Sequence, residues 1–245
     1  MTRVTFLGTG ASGGTPGSGR SKRRESSALA VAGDVSVLMD VTNQFHEQSQ
    51  LVDRLDAVVV THAHRDATGG VPALDRWLHD HKQAPVPVLT SAEAVGVLRE
   101  RHGDLDYCDL QPVHPGQRRN VGPWSITAVE VPHARDQRFR TFAWRLERDG
   151  TVLVYASDVA ELTENLAQAT RGADLLALDG AMYGRSLFSH LRIDEALPVV
   201  CRWDVDRILL TQIGRTAPAH DELVEVAARL CERAAPAYDG LTVQL

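Results

Sequence analysis

Apolar and polar positions follow two rhythms along this chain. Alternation marks Arg3 to Leu7 as a strand, and Ser27 to Val31 with Val35 to Asp40 as two more around a turn at Gly33-Asp34. The unbroken apolar run Ala57 to Val60 predicts a buried strand over Leu55 to Thr61. Strands are also predicted at Val86 to Thr90, Trp124 to Val131, Arg140 to Glu147, Thr151 to Ala156, Asp174 to Leu178 and Arg207 to Thr211. Helical spacing predicts Phe45 to Arg54, Thr68 to Asp80, a helix from the cap Ser91 to about Arg101, Leu162 to Thr170, Ile193 to Arg202 and Asp221 to Ala234. Strands come in hairpin runs and also alternate with helices. That order predicts an α/β sandwich, two sheets with helices outside them. No repeat or linker interrupts it, so residues 1–245 read as a single domain.

Composition narrows the function. The 245 residues carry 26 Lys+Arg against 32 Asp+Glu, a formal net charge of -6. That balance argues against a protein that coats nucleic acid. Met1 to Gly10 has no apolar h-region, so no signal peptide is expected. No apolar run approaches the roughly 18 residues of a membrane span. The 3 cysteines, Cys108, Cys201 and Cys231, are odd in number and lack a CxxC pair. They argue against a disulfide frame or cysteine-bound zinc, and a reducing cytoplasm is the expected location.

The chemistry concentrates after the buried strand, in Thr61-His62-Ala63-His64-Arg65-Asp66-Ala67. On an extended or tightly turned backbone alternate side chains point the same way, so His62, His64 and Asp66 can converge. Two imidazoles and a carboxylate suit a divalent ion: zinc, or iron or manganese. A solvated loop that happens to carry two histidines is the competing reading.

The segment resembles the His-x-His-x-Asp-His signature of the metallo-β-lactamase superfamily. The opening Phe6-Leu7-Gly8-Thr9-Gly10 and Gly13-Gly14-Thr15-Pro16 look like the start of the phosphonate-operon cyclic phosphodiesterases and the tRNA 3′-end endonucleases. The resemblance runs along nearly the whole chain and implies the four-layer αββα sandwich. It implies Asp40, at a strand end, as a residue behind the ligands, and His133 as the third histidine ligand. It implies Asp158 as the bridging aspartate, His190 as a histidine near the scissile phosphate, and Leu210-Thr211-Gln212-Ile213 as the last ligand strand.

The departures are equally informative. Where the family pattern has histidine, this chain has Ala67 and Gln212. In the family both positions serve a second ion. The ligands of the first, His62, His64, His133 and Asp158, all remain. One divalent transition metal is therefore expected, most simply zinc, with the second ion weak or absent. The Gly17 to Glu25 region lacks the cysteines of the structural zinc site found in the phosphonate-operon enzymes.

The resemblance implies a metal-dependent hydrolase, phosphodiesterase-like, with Asp66 accepting the water's proton and His190 serving the leaving oxygen. The alternatives are a non-hydrolytic protein that binds a nucleotide or other metabolite, or a biosynthetic enzyme with different chemistry. Arg20, Arg23 and Arg24 are candidates for substrate phosphate or carboxylate; a solvated loop is the plainer reading. His220 reads as a neighbour of a helix cap sooner than as a replacement ligand. A small-molecule substrate is expected and a homodimer is left open. A tRNA substrate is disfavoured, because no inserted basic arm is present and the net charge is negative.

Overall fold

The computed structural model describes residues 1–245. Its strands are β1 (Thr2–Gly8), β2 (Ser27–Ala32), β3 (Val35–Met39), β4 (Ala57–Val59), β5 (Val86–Ser91), β6 (Cys108–Val113), β7 (Arg118–Val121), β8 (Trp124–Val131), β9 (Thr141–Arg148), β10 (Thr151–Ala156), β11 (Leu175–Asp179), β12 (Ile208–Thr211), β13 (Ala234–Pro236) and β14 (Thr242–Gln244). Its helices are α1 (Phe45–Gln48), α2 (Arg65–Thr68), α3 (Val71–Asp80), α4 (Ala92–His102), α5 (Glu164–Ala169), α6 (Ile193–Val200) and α7 (His220–Leu230). None is long and apolar enough to cross a membrane.

The strands form two seven-stranded sheets, ordered β14-β1-β2-β3-β4-β5-β6 and β13-β12-β11-β10-β9-β8-β7. Alternation decides what lies between them. Phe6, Trp124, Phe142, Trp144 and Tyr155 point inward and are fully buried in the central core. The opposite face of the first sheet is covered by Phe45 of α1, Leu74 and Leu78 of α3, and Leu98 of α4. That of the second is covered by Leu166 of α5, Leu197 of α6 and Leu223 of α7. This is the expected αββα sandwich.

Parallel pairing sets where chemistry can occur. β3 and β4 are parallel, with Leu38 opposite Val58. β10, β11 and β12 are also parallel, with Asp179 opposite Thr211. Their carboxyl ends therefore share one rim, where loops carry side chains on a rigid base. Two links close the rim: Phe142 N donates to Thr61 O at 2.9 Å, and Gly10 bridges both Glu25 and Ile213. Gly8 must be glycine there, because a Cβ would lie 2.0 Å from Glu25 O.

The cysteine expectation is corrected. Cys201 and Cys231 are bonded as a disulfide, their Cα atoms 5.4 Å apart. Each ends a helix, α6 and α7, and those helices pack side by side. Only Cys108, buried, is free.

Candidate metal centre

The rim gathers the predicted histidines. Ring centroids of His62 and His64 are 4.6 Å apart, of His62 and His133 4.7 Å, and of His64 and His133 5.5 Å. Each of the three offers a nitrogen within 4.8 Å of the others. A second group, sharing His133, adds Asp158 and His190 by the same criterion.

Outer hydrogen bonds aim the rings. Thr61 Oγ1 donates to the Asp40 carboxylate at 3.0 Å, and Thr61 N donates there at 2.8 Å. With its proton given to Asp40, the hydroxyl accepts from His62 Nδ1 at 2.9 Å. That leaves the His62 Nε2 lone pair facing inward; this atom is buried and has no partner in the protein. His133 Nδ1 donates to Ser189 O at 2.7 Å, which likewise frees Nε2. His64 precedes α2, and its ring stacks on Phe139 at 4.1 Å. Burial lowers the His62 pKa to about 3, so its imidazole is neutral, the form that binds metal. An orphaned buried nitrogen among three converging imidazoles fits a divalent ion.

The acids have separate surroundings. Asp158 accepts from Ser157 Oγ at 2.6 Å and from Gln212 Nε2 at 2.8 Å. Burial alone would raise its pKa, but the nearby imidazoles of His62, His133 and His190 hold it below the ordinary carboxylate range. Asp66 is raised by burial and by the Asp158 charge. Gln212 Nε2 also reaches Asp66 at 3.4 Å, so one amide lies between the two carboxylates. Ala67 is buried in the apolar layer behind α2.

Two buried partners escaped sequence reasoning. Asp179 ends β11 fully buried and accepts from Val159 N, Ala181 N and His190 Nδ1, the last at 2.7 Å. Burial would lower the His190 pKa, but Asp179 and the other carboxylates raise it to about 9. The other is Thr61, which links Asp40 to His62.

Other candidates lie apart from the imidazoles. Arg20 covers the Tyr238 ring at 4.1 Å. Arg24 donates from Nε to Leu7 O and pairs with Asp239. Arg23 is buried beside these. His220 opens α7, its ring edge-on to Tyr238, and it joins neither metal-competent group.

A family profile described as "Beta-lactamase superfamily domain" matches residues 35–213. A ribonuclease Z of Bradyrhizobium sp. (strain ORS 278) is 24% identical over 99% of this chain and 100% of its own. An octanoyltransferase of Porphyromonas gingivalis (strain ATCC BAA-308 / W83) is 23% identical over 98% of this chain. The chain spans 51% of that protein's length. Among solved structures, a diphosphatase of the PhnP family superposes with TM-score 0.88 at 21% identity, covering 100% of this chain and 98% of that one. The Zn(2+)-bound PqqB of Methylobacterium extorquens gives 0.83 at 20% identity, covering 99% and 100%. At these identities the structural likeness is one of fold.

Proposed function

The chain belongs to the beta-lactamase superfamily, and from that premise we propose that it is a metal-dependent hydrolase of phosphodiesters working with a single ion, most simply zinc. The observation that carries this reading is the set of three converging imidazoles beside a second position taken by an amide. His62, His64 and His133 would hold the ion, with Asp158 at the edge of the set. When bound, a divalent ion there supplies Lewis-acid activation of water and of a phosphoryl oxygen.

The protein's own groups divide the remaining work. Asp66 accepts the proton of the attacking water, because its carboxylate faces the imidazoles and gives only one edge to Gln212. His190 directs Nδ1–H to Asp179, which turns Nε2 toward the centre. From there Nε2–H donates to the leaving oxygen. Asp179 is a positioning residue: it fixes the ring and favours its charged form.

A second reading has an observation in its favour. The Gln212 amide satisfies both carboxylates without a second cation, as suits a cleft that binds a metabolite without cleaving it. Turnover of bis-p-nitrophenyl phosphate by the zinc- or manganese-replete protein separates the two. Hydrolysis that disappears in His64→Ala supports the hydrolase. Stoichiometric metal without hydrolysis of this or other phosphodiesters supports the binding protein.

A further inference from the structure

A turn beside the metal centre carries apolar surface that the cores do not use. Leu187 to His190 form a tight turn, with His190 N donating to Leu187 O at 3.2 Å. Its last two residues are pinned. Ser189 O accepts from His133 Nδ1 at 2.7 Å, and His190 Nδ1 donates to Asp179 at 2.7 Å. The turn is therefore a fixed support. On it Phe188 is 63% exposed and Leu187 43%. Arg135, two residues after His133, covers the Phe188 ring with its guanidinium 4.6 Å from the centroid.

The turn forms one side of a pocket of about 390 Å³. Ala160, Leu162, Leu187, Phe188, Leu191 and Ala196 supply its apolar walls. Leu191 and Ala196 are buried in the core outside the second sheet, so the wall continues packed structure. His190 borders the same pocket, and it also offers a nitrogen within 4.8 Å of His133 and Asp158. One imidazole thus stands between the metal centre and an apolar hollow. Apart from His190 the pocket's only cation is Arg192, which Asp194 and Glu195 already hold. What the pocket offers a ligand is apolar area and an aromatic ring.

We propose that this pocket receives the group carried on the leaving oxygen, a neutral aryl or similarly sized apolar group, with Phe188 as a specificity-determining residue, an inference that rests on the reading in which His190 Nε2–H donates to that oxygen. The two sides of the phosphoryl group then meet different surroundings. The side at the three imidazoles faces polar groups, and the side at His190 faces Leu162, Leu187, Phe188 and Leu191.

The test separates binding from turnover. Benzyl(methyl)phosphinate has a CH2 in place of the leaving oxygen and is not hydrolysed; dimethylphosphinate lacks the ring. Both are titrated calorimetrically into the zinc-loaded full chain. The benzyl compound should bind about tenfold more tightly, as expected from covering part of a ring with an apolar wall. Phe188→Ala removes a side chain that lies mostly in water, so the fold should persist. It should lose roughly 3- to 10-fold in affinity for the benzyl compound and none for dimethylphosphinate. Val224→Ala, which removes another exposed apolar side chain outside the pocket, should change neither. In turnover of methyl p-nitrophenyl phosphate, Phe188→Ala should raise KM with kcat nearly unchanged, the mark of lost ground-state contact. A benzyl preference that depends on Phe188, in a chain that hydrolyses no phosphodiester, supports the pocket and removes the hydrolase reading. Equal affinity for the two phosphinates, or a benzyl preference retained in Phe188→Ala, overturns the pocket and leaves the hydrolase reading standing.

Discussion

Thr61 shows how much of the centre depends on a residue that touches neither metal nor substrate. Its hydroxyl sits between Asp40 and His62 Nδ1 and fixes which nitrogen of the ring faces inward. Thr61→Val keeps the shape and removes that link. Metal affinity should fall roughly 10–100-fold, the usual cost of losing such an outer partner. Competition with a chromophoric chelator measures it, and unchanged affinity would mean that packing alone orients His62. Asp66 is argued to move a proton, whereas His64 is argued to bind. His64→Ala should therefore lose both ion and turnover. Asp66→Asn should keep the ion and lose turnover by about 10²-fold or more. Loss of the ion in both variants would make Asp66 a ligand. The two-residue spacing of His62, His64 and Asp66 is readable because the short loop after β4 and the first turn of α2 carry all three. Their supports were not, because they meet across the fold: Ser189 lies 56 positions from His133, Asp40 21 from Thr61, and Asp179 11 from His190. Asp179 has no local signature, since it closes the apolar run of β11.

At the scale of elements, sequence pattern found the interior strands and lost the edges. Trp124 to Val131 and Thr151 to Ala156 emerge with the expected bounds, because both faces of a central strand are constrained. β6, β7, β13 and β14 were not anticipated. β7 is Arg-Arg-Asn-Val with no buried residue, and β14 buries only Val243, so neither shows an apolar period. The helix expected over Thr68 to Asp80 begins instead at Val71. Gly69 and Gly70 separate it from α2, and a Cβ on Gly70 would lie 2.1 Å from Thr42 O. The helix expected to run to Arg54 stops as an α-helix at Gln48. Close approach of this kind also fixes β1. Gly8→Ala would press a methyl against Glu25 O at 2.0 Å and Gln48 Nε2 at 2.7 Å. Overpacking at such a point costs about 1–3 kcal/mol. At about 2–4 °C per kcal/mol, thermal unfolding should fall by roughly 2–12 °C. An unchanged midpoint would show that the loop yields freely. The disulfide likewise had no local sign: Cys201 and Cys231 lie 30 residues apart and meet only because α6 and α7 pack together.

Across the whole molecule, the two sheets bring their strand ends to one rim. His62 and His64 come from the first sheet; His133, Asp158, Asp179 and Gln212 come from the second. We propose that this rim holds one ion, because Ala67 and Gln212 stand where the resemblance places two further histidines. Gln212 Nε2 fills the space between Asp66 and Asp158 with a neutral donor. Ala67→His with Gln212→His would remove that donor and restore two imidazoles beside the two carboxylates, a complete shell for zinc. Each single change should do less, because a three-ligand site beside another cation meets repulsion with little compensation. Elemental analysis of metal-replete protein after gel filtration, run on the native chain and on the double variant, tests the account most directly. It predicts one ion per native chain and a second, at higher occupancy than in either single variant, in the double variant. Two stoichiometric ions in the native chain would contradict it.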